Sequence, residues 1–565
     1  MRTRPSPSTP SPSPVTDLVA AVASEHAPGA ESLLSILQSL QVRHGCLTPN
    51  LIGQAARALG VPAERAHGVA TFYSLLDVRT APQPESPIRA RACDGPVCWL
   101  LGAPEARAAL EAKLGPEAVT RSSCLGLCDR APAALVDGRQ VGNGPAPDYT
   151  QPRPGEVRVM LARAGRVDPD SLESALSLGA YQSLGHALTH PPAAIMDEVE
   201  ASGLAGRGGA GFPAGRKWRL VAQSPDPVRY VVANADESEP LIFKDRVLME
   251  TDPHLLLEGM ALAGCAVGAH EAFIYIRGEY APQAARLETA ITQAVAAGWL
   301  GDDIQGSGFN FHIHIHRGAG AYICGEETAL LESLEGRRGE PRIRPPFPAS
   351  AGYHGHPTLV NNVETFCAVP AILREGAAGY RALGANGAPG TKLFMLLGSV
   401  KRPGLVEAPF GLTLRQLIDD LGGGLPEDSQ FHFALTGGAA GTFVPASLLD
   451  LPFDYRSAGQ GLSLGAGAVL VCDQHVSPVA LLRELLHFFE VESCGKCTPC
   501  RHGTRQARLI LDRLTAGAGR PGDTAELAAL ADLLRAASFC GLGQSAAMPI
   551  QSALRHFAAA FELKG

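Results

Sequence analysis

The sequence predicts an α/β protein built from several domains. Its 565 residues, 45% of them apolar, are enough for three or more domains with cores of their own. Strand, glycine-loop and helix patterns alternate in the middle of the chain, and from Ser477 onward the pattern is helical. The most apolar stretch, 254–276, contains Glu258 and Glu271, so it predicts a buried helix followed by a strand rather than a membrane span.

Charge and cysteine content indicate a cytosolic protein that does not bind nucleic acid. The formal charge is −8, and the 48 basic residues are scattered, without a block that would follow a phosphate backbone. The opening "MRTRPSPSTPSPSP" has no apolar core of a secretory signal, and it predicts a disordered tail over 1–30. Thirteen cysteines, an odd number, argue against a disulfide framework and leave thiols for metal binding.

The sequence predicts a helical segment over 31–80, here called the helical lead, and a small α/β domain with four clustered cysteines over 81–150. Cys93 and Cys98 stand in "CDGPVC", and Cys124 and Cys128 in "CLGLC". An alanine-rich helical pattern and a short strand separate the two pairs. Four cysteines in two loose pairs suit a 2Fe-2S cluster, and a redox disulfide is the alternative.

After a connector over 151–200, the first of two glycine loops opens a domain predicted for 201–375. "GLAGRGGAGFPAG" contains Gly206-x-Gly208-x-x-Gly211, which matches the residue pattern of a dinucleotide fingerprint but not its structural context. The Rossmann version follows a strand, whereas a helical pattern precedes this loop. The loop therefore predicts bare backbone that a flat or anionic cofactor can approach closely.

The second glycine loop has the order strand, loop, helix. The strand pattern runs through His316, and the helix starts near Glu326. Because Glu326 and Glu327 would repel a phosphate, we expect them to face hydroxyl groups or a cationic nicotinamide ring. His312, His314 and His316 share one strand face, which a half-exposed strand explains without a metal.

The last two segments predict a β-grasp-like module over 376–475 and a helix bundle over 476–565. In the bundle, "ESCGKCTPCRHGT" places Cys494, Cys497 and Cys500 in one loop, and Cys540 is the only later cysteine. Three ligands from one loop and a distant fourth are typical of a 4Fe-4S cluster, whereas zinc sites usually take two close pairs. The isolated cysteines in apolar or helical surroundings are predicted to be buried hydrophobic residues: Cys46, Cys265, Cys367 and Cys472.

Several motifs together resemble a known family. "GRGGAGFPAGRKW", "NADESEP", "FKDR", "YIRGEY", "RGAGAYICGEETAL", "PTLVNNVET" and "ESCGKCTPCRHGT" resemble, in order, the NADH-binding flavoprotein subunit of respiratory complex I from about Pro191 to the C-terminus. The preceding segment is similar to the small 2Fe-2S subunit of that enzyme, with its thioredoxin-like cluster domain. Such a fusion is similar to the diaphorase subunits of NAD-reducing hydrogenases and of some NAD-dependent formate dehydrogenases.

This resemblance implies FMN and NADH in a Rossmann-like domain of atypical topology, with Glu237 and Glu327 as the acids nearest the flavin ring. The implied flavin residues are Gly206, Arg207, Gly208, Lys217, Asn234, Asp236, Glu237, Ser238, Gly325, Glu326, Glu327, Asn361, Asn362 and Thr365. The implied NADH residues are Phe212, Glu239, Arg344 and Phe347. Cys324 matches a cysteine that looks from the flavin pocket toward the 2Fe-2S domain.

Departures from the family pattern concern the nucleotide. Leu241 and Ile242 replace smaller residues and are expected to crowd it, while Leu220 stands in place of an aromatic residue and Ala205 in place of an arginine. Arg344 replaces a lysine, and its guanidinium suits a 2′-phosphate. The sequence therefore does not decide whether the protein prefers NADH or NADPH.

The implied function is hydride transfer between NAD(H) and FMN, followed by one-electron transfer through the 4Fe-4S cluster. Partners would be an iron–sulfur subunit together with a hydrogenase, a formate dehydrogenase or a quinone-reducing module. The protein would be cytoplasmic, with any membrane contact made through partner subunits. The alternatives are a non-catalytic iron–sulfur carrier with a decayed NADH site, and a zinc-stabilised interaction protein.

Overall fold

The computed structural model describes residues 14–80, 88–144 and 147–562. Residues 1–13 of the predicted tail and 81–87 of the predicted cluster domain lie outside these ranges. The predicted tail is wrong from residue 14 onward, because a helix there buries Val19 and Val22 against the helical lead. The N-terminal helices are α1 Pro14–Ala23, α2 Leu33–His44, α3 Pro49–Leu59 and α4 Ala63–Ala70.

The four early cysteines lie at one edge of a small mixed sheet. The cluster domain consists of β1 Ala90–Cys93, α5 Pro96–Leu100, α6 Ala103–Leu114, β2 Val119–Ser122, β3 Ala134–Val136 and β4 Arg139–Val141. The strand order is β2-β1-β3-β4, and β1 and β2 are parallel, with the predicted alanine-rich helix α6 between them. Because parallel strands end at the same edge, Cys93 at the end of β1 and Cys124 just after β2 come together.

The flavin domain is built on a four-stranded parallel sheet in the order β7-β6-β5-β8. The connector and this domain comprise α7 Leu172–Ser177, α8 Gln182–Ala187, α9 Pro192–Ala201, α10 Ala214–Ala222, β5 Tyr230–Ala235, α11 Lys244–Thr251, α12 Pro253–Val267, β6 Glu271–Ile276, α13 Ala281–Ala296, β7 His312–Arg317, α14 Glu327–Leu334, α15 Pro348–Ala351, β8 Thr358–Asn362 and α16 Val363–Ala382. Helix α9 precedes the first glycine loop, which confirms that this loop is not a strand–loop–helix fingerprint. The predicted strand, loop and helix of the second glycine loop are β7 and α14.

The β-grasp-like module has a five-stranded sheet in the order β10-β9-β13-β11-β12. Its elements are β9 Thr391–Gly398, β10 Gly404–Pro409, α17 Leu414–Gln416, β11 Phe431–Thr436, β12 Thr442–Val444 and β13 Ala468–Asp473. The predicted order of strand, turn, strand and helix is confirmed by β9, β10 and α17.

The C-terminal bundle carries the late cysteines on its loops and helix starts. Its helices are α18 Pro478–Glu492, α19 Thr498–Thr515, α20 Asp523–Ala537, α21 Gly541–Ser545 and α22 Ala547–His556. One apolar core runs from the N-terminal helices through the flavin domain into this bundle, and a second core lies on one face of the β-grasp sheet. Within the described ranges, no helix combines the length and apolar character needed to cross a membrane.

Candidate functional site

A continuous cleft lies at the carboxyl edge of the flavin-domain sheet, where parallel sheets usually bind ligands. An inner part holds about 1390 Å³ of free space and an outer part about 1770 Å³, and both are lined by Gly208, Asn234, Gly325, Glu326 and Asn362. We call these parts the inner cleft and the outer cleft. Predicted residues that line only the inner cleft are Asp236, Glu237, Ser238 and Glu239. Predicted residues that line only the outer cleft are Gly206, Phe212, Lys217, Glu327, Arg344, Phe347, Asn361 and Thr365.

The first glycine loop forms one wall and presents its main chain to the cleft. The Gly206 N–H donates to the Phe212 carbonyl (2.8 Å), and the Tyr455 hydroxyl donates to the Gly206 carbonyl (2.7 Å). A Cβ on Gly208 would lie 3.2 Å from the Asn362 Cβ. A side chain there would crowd the cleft, so the close approach explains the glycine.

Arg207 does not line the cleft with its side chain, contrary to the prediction. Its backbone N–H donates to the Thr365 Oγ1 (2.9 Å), but its guanidinium is 1% exposed and lies 4.4 Å from the centroid of the Phe410 ring. The guanidinium also donates to the Thr391 carbonyl (3.1 Å). The Arg207 side chain therefore ties the glycine loop to the β-grasp module.

Two carboxylate oxygens along the cleft have no hydrogen-bond partner among the described residues. They are the Oδ2 of Asp236 and the Oε1 of Glu326, both buried; the Glu326 oxygen has the Arg344 guanidinium at 3.5 Å, beyond hydrogen-bond distance. Burial raises the pKa of Asp236 well above its ordinary value, and its other oxygen accepts from the Ser238 hydroxyl (3.2 Å). Buried acceptors without donors are costly, so both oxygens fit the hydroxyl groups of a ribityl chain.

The start of α16 forms the other wall and suits a phosphate. Asn362 caps this 20-residue helix by accepting from the Glu364 N–H (3.1 Å). The buried Lys244 ammonium donates to the Asn362 Oδ1 (2.9 Å) and pairs with Glu364 (3.0 Å). In the amide orientation that satisfies both of its polar atoms, the Asn361 side-chain oxygen accepts from the Trp218 indole N–H (2.8 Å). Lys244 was missed by the sequence reading, although its motif "FKDR" carries part of the resemblance.

Glu237 lines the inner cleft, but its carboxylate oxygens are hydrogen-bonded to the start of α11 and to Tyr280. It accepts from the backbone N–H groups of Asp245 (2.7 Å) and Arg246 (3.0 Å), at the start of α11, and from the Tyr280 hydroxyl (3.0 Å). Burial, with the nearby Asp245 as a second cause, raises the pKa of Glu237 to about 8. Its contacts therefore position α11, in addition to any effect on a bound ring.

The four predicted NADH residues are divided between the two parts of the cleft. Glu239 lies in the inner cleft, where it accepts from the Tyr322 hydroxyl and from the Ala440 N–H (2.9 Å). Burial raises the pKa of Glu239 to about 7. Phe212 and Phe347 lie in the outer cleft and are 44% and 55% exposed. Tyr322 and Ala440 were not predicted, since neither differs in type from ordinary core residues.

Lys217 and Glu327 form an ion pair in the outer cleft. The Lys217 Nζ lies 2.8 Å from the Glu327 carboxylate and donates to the Val360 carbonyl at the same distance. Glu326 caps α14 by accepting from the backbone N–H groups of Thr328 and Ala329, both at 3.0 Å. Of the two predicted acids, Glu326 thus lines both parts of the cleft and Glu327 lines the outer part.

The late cysteines come together in a separate small cavity of about 270 Å³, lined by Cys494, Cys497, Cys500 and Cys540. Backbone N–H groups point at the sulfurs: that of Phe539 lies 3.5 Å from the Cys497 Sγ. Burial raises the pKa of Cys540 to about 11 against the opposing backbone N–H groups of Leu542 and Gly543. Four converging sulfurs with N–H donors fit a 4Fe-4S cluster. Ile323 and Leu542 line both this cavity and the inner cleft, so the two sites are neighbours.

The early cysteines are all buried and contact one another. Cys93 contacts Cys98 and Cys124, and Cys124 contacts Cys128. The flavin domain holds this loop, since Arg277 donates to the Cys124 carbonyl (2.6 Å). The set fits a 2Fe-2S cluster whose environment is shared by two domains.

Three further predicted positions can now be located. Leu241 does not crowd the cleft: it is fully buried, and its backbone N–H counters the rise that Cys124 and burial give the pKa of Cys128, whereas Ile242 does line the inner cleft. Cys324 is buried beside Tyr275 and Ser333 of the flavin domain and Tyr73 of the helical lead. The four isolated cysteines predicted as hydrophobic residues are buried.

The histidines of β7 are separately engaged. His312 lies 3.2 Å from Asp302, His314 lies 2.7 Å from Glu271, and His316 stacks on Tyr275 with its ring centroid at 5.4 Å. None of the three histidines belongs to a group of three or more His, Cys, Asp or Glu side chains in the described ranges that could hold a metal ion.

A cleft fitted to a flavin, next to one cysteine cluster and linked to a second, defines an iron–sulfur flavoprotein. Family models match four segments of the chain: a thioredoxin-like 2Fe-2S ferredoxin over 19–149, the Nuo51 FMN-binding domain over 199–371, an SLBB domain over 393–439, and the NADH-ubiquinone oxidoreductase-F iron–sulfur binding region over 480–564. FMN, a 2Fe-2S cluster and a 4Fe-4S cluster are therefore its cofactors.

Relatives place the chain more closely. It is 45% identical to an F-type subunit of the NADH-quinone oxidoreductase of Rhizobium meliloti, over 71% of this chain and 96% of that protein. It is 43% identical to the NADP-reducing hydrogenase subunit HndC of Solidesulfovibrio fructosivorans, over 72% of this chain and 83% of that protein. A crystal structure of an NAD+-reducing NiFe hydrogenase in the H2-reduced state matches with a TM-score of 0.81 and 34% identity, over 95% of this chain and 93% of that one. The chain belongs to the family of F-type subunits of NADH-quinone oxidoreductase, and in this protein the family's fold is joined to a thioredoxin-like 2Fe-2S domain.

Proposed function

We propose that this chain is the diaphorase subunit of a multisubunit NAD-linked oxidoreductase. When bound, FMN exchanges a hydride with the nicotinamide dinucleotide and electrons one at a time with an iron–sulfur cluster. The observation that carries the proposal is the shared wall of the two sites, because Ile323 and Leu542 contact both the inner cleft and the 4Fe-4S cavity. A flavin in this cleft would therefore have a one-electron acceptor directly beside it.

The residues of the cleft bind and orient, and none has to act as an acid or base, since a hydride carries its own electron pair. Asp236 and Glu326 offer acceptors to ribityl hydroxyls, and the start of α16 offers N–H donors to the phosphate, while Lys244, paired with Asp245 and Glu364, holds the Asn362 cap in place. Glu239 and Tyr322 line the inner cleft and are joined by a hydrogen bond that fixes the position of both side chains.

The partner is proposed to be an iron–sulfur subunit of a hydrogenase, a formate dehydrogenase or a quinone-reducing module in the cytoplasm. The names of the relatives support this class of assembly, since they are subunits of a quinone oxidoreductase and of a hydrogenase. Those names differ in nucleotide, one being NADH-linked and the other NADP-reducing.

The test is nucleotide-dependent dye reduction by the purified chain. FMN-loaded protein should reduce ferricyanide or a viologen with NADH or NADPH, and the flavin absorbance should bleach without dye. Asp236→Asn should lower FMN retention, because an unpaired acceptor becomes partly a donor, whereas Asp450→Asn on the surface should not. A flavin that neither nucleotide bleaches would favour the non-catalytic iron–sulfur carrier instead.

A further inference from the structure

Arg216 is a cation of the outer cleft that the rest of the protein leaves unpaired. It is exposed on the first turn of α10, and no hydrogen bond or ion pair joins it to another residue in the described ranges. Its guanidinium carbon lies 5.9 Å from the centroid of the Phe212 ring. Sequence reading passed over Arg216 because it sits inside a family motif beside the predicted Lys217.

The other two cations of the outer cleft, Lys217 and Arg344, each lie near a carboxylate. Lys217 pairs with Glu327 at 2.8 Å, and Arg344 lies 3.5 Å from Glu326, a contact longer than a hydrogen bond. Three cations therefore face two carboxylates, and the excess positive charge lies at Arg216. A second guanidinium, that of Arg344, is held loosely on the same cleft. Such a pair favours an anionic ligand.

The surroundings of the two arginines suit an adenine ring. Phe212, Phe347 and Leu220 all line the outer cleft and leave large apolar side chains exposed. Aromatic faces stack on flat rings, and a guanidinium can stack on a ring while it binds a phosphate through paired N–H groups. Because Arg216 lies beside Phe212, its natural target is an anionic group close to the adenine, which in NADP is the 2′-phosphate of the adenosine.

We infer that Arg216 and Arg344 form a 2′-phosphate subsite, so that this chain reacts with NADP(H) in addition to NAD(H). The inference rests on the proposed function, since it names the nucleotide class of the same cleft. Arg344 was already singled out in the sequence, and Arg216 is the second guanidinium that lines the same cleft. The pyrophosphate common to both nucleotides is the competing target for these arginines.

The first experiment compares kcat/KM for NADPH and NADH in dye reduction by FMN-loaded protein. Loss of a charge-assisted contact should lower the NADPH-to-NADH ratio by about tenfold in Arg216→Gln and again in Arg344→Gln. Arg219→Gln is the matched control, because Arg219 lies on the same helix but pairs with Asp197 and Glu200 away from the cleft. An unchanged ratio in both variants, or an equal loss for both nucleotides, would overturn the subsite.

The second experiment measures equilibrium binding and needs no turnover. Adenosine 2′,5′-bisphosphate should bind the FMN-loaded wild type more tightly than adenosine 5′-monophosphate, and raised salt should reduce that difference. In Arg216→Gln this difference should shrink, and in the double variant Arg216→Gln/Arg344→Gln the two nucleotides should bind with similar affinity. Equal binding in the wild type would reject the subsite, whereas failure of both NADH and NADPH to bleach the flavin would reject the diaphorase function on its own.

Discussion

Leu241 combines a left-handed backbone with a fully buried side chain. Its φ is 77°, a region that disfavours residues with a Cβ and suits glycine. The backbone N–H of this strained residue lowers the pKa of Cys128 against the effects of Cys124 and burial, and the side chain fills apolar space instead of the nucleotide cleft. At this position, beside the 2Fe-2S site, backbone strain therefore destabilises the folded state while burial of the side chain stabilises it.

This opposition predicts an unusual order of stability for substitutions at Leu241. Leu241→Ala should lower the free energy of unfolding by about 2–5 kcal/mol, because a buried side chain is lost while the strain stays. Leu241→Gly loses slightly more volume but relieves about 1–2 kcal/mol of strain, so it should be at least as stable as the alanine variant. Thermal and denaturant unfolding of both variants would measure this. At an ordinary buried position glycine is the worse of the two, and that result would contradict the argument.

Individual site residues were predictable where the chemistry is local in sequence. Cys494, Cys497 and Cys500 reveal their role by spacing alone, and the structure brings them to one cavity with Cys540. Arg207 was misplaced because its side-chain partner Thr391 lies 184 residues away. Its type and its glycine-rich neighbours gave no sign of that contact.

At the scale of elements, one buried carboxylate helps to fasten the connector to the β-grasp module, beside the contacts of Arg153 with the carbonyls of Arg402 and Pro403. Glu407 on β10 is fully buried and accepts from the backbone N–H groups of Val159 (2.9 Å), Met160 (3.1 Å) and Leu161 (2.9 Å). Burial raises its pKa to about 7. The first two strands and the following helix of this module were predictable from short-range patterns, but this anchor, 246 residues from Leu161, was not.

Removal of this anchor should loosen the connector without unfolding the sheet. Glu407→Ala leaves three N–H groups unpaired, at a cost of about 1–3 kcal/mol for each that stays buried, whereas Glu407→Gln keeps one acceptor and should lose less. Limited proteolysis within 151–170 and the thermal midpoint would report the change. Asp450→Ala, on the surface of the same module, serves as the control.

The same carboxyl has a pH dependence of definite sign. Because its pKa is raised from 4.5 to about 7 on folding, the folded state binds more protons between these values. The stability contributed by Glu407 therefore falls as pH rises from 4.5 to 7. The thermal midpoint of Glu407→Gln should change less with pH across this interval than that of the wild type.

At the scale of the whole molecule, the domains are arranged so that both clusters border the flavin domain. The bundle shares Ile323 and Leu542 between its cysteine cavity and the inner cleft, and the cluster domain is held by Arg277 through the Cys124 carbonyl. The domain types could be read from the sequence, because each has its own local pattern. Their mutual placement could not, because it depends on contacts between residues hundreds of positions apart.

This arrangement predicts that the two clusters can be lost independently. Cys497→Ala removes one of four sulfurs around the bundle cavity, and no other cysteine lines that cavity to replace it. The four-iron EPR signal of the reduced protein should disappear or convert to a three-iron form, while the 2Fe-2S signal persists because its ligands belong to another folding unit. Bleaching of the flavin by nucleotide in stopped flow should also persist, since none of its cleft residues is changed.

Delivery of electrons to a partner should then fail although the nucleotide reaction survives, because the site beside the flavin is broken. Cys472→Ala, at a buried cysteine of β13 remote from both sets, should keep both EPR signals and electron delivery. An intact four-iron signal in Cys497→Ala would show that the ligands are wrongly assigned. Loss of both signals together would show that the clusters depend on one another through the flavin domain, and zinc in place of iron in the wild type would reject the electron path through this cavity.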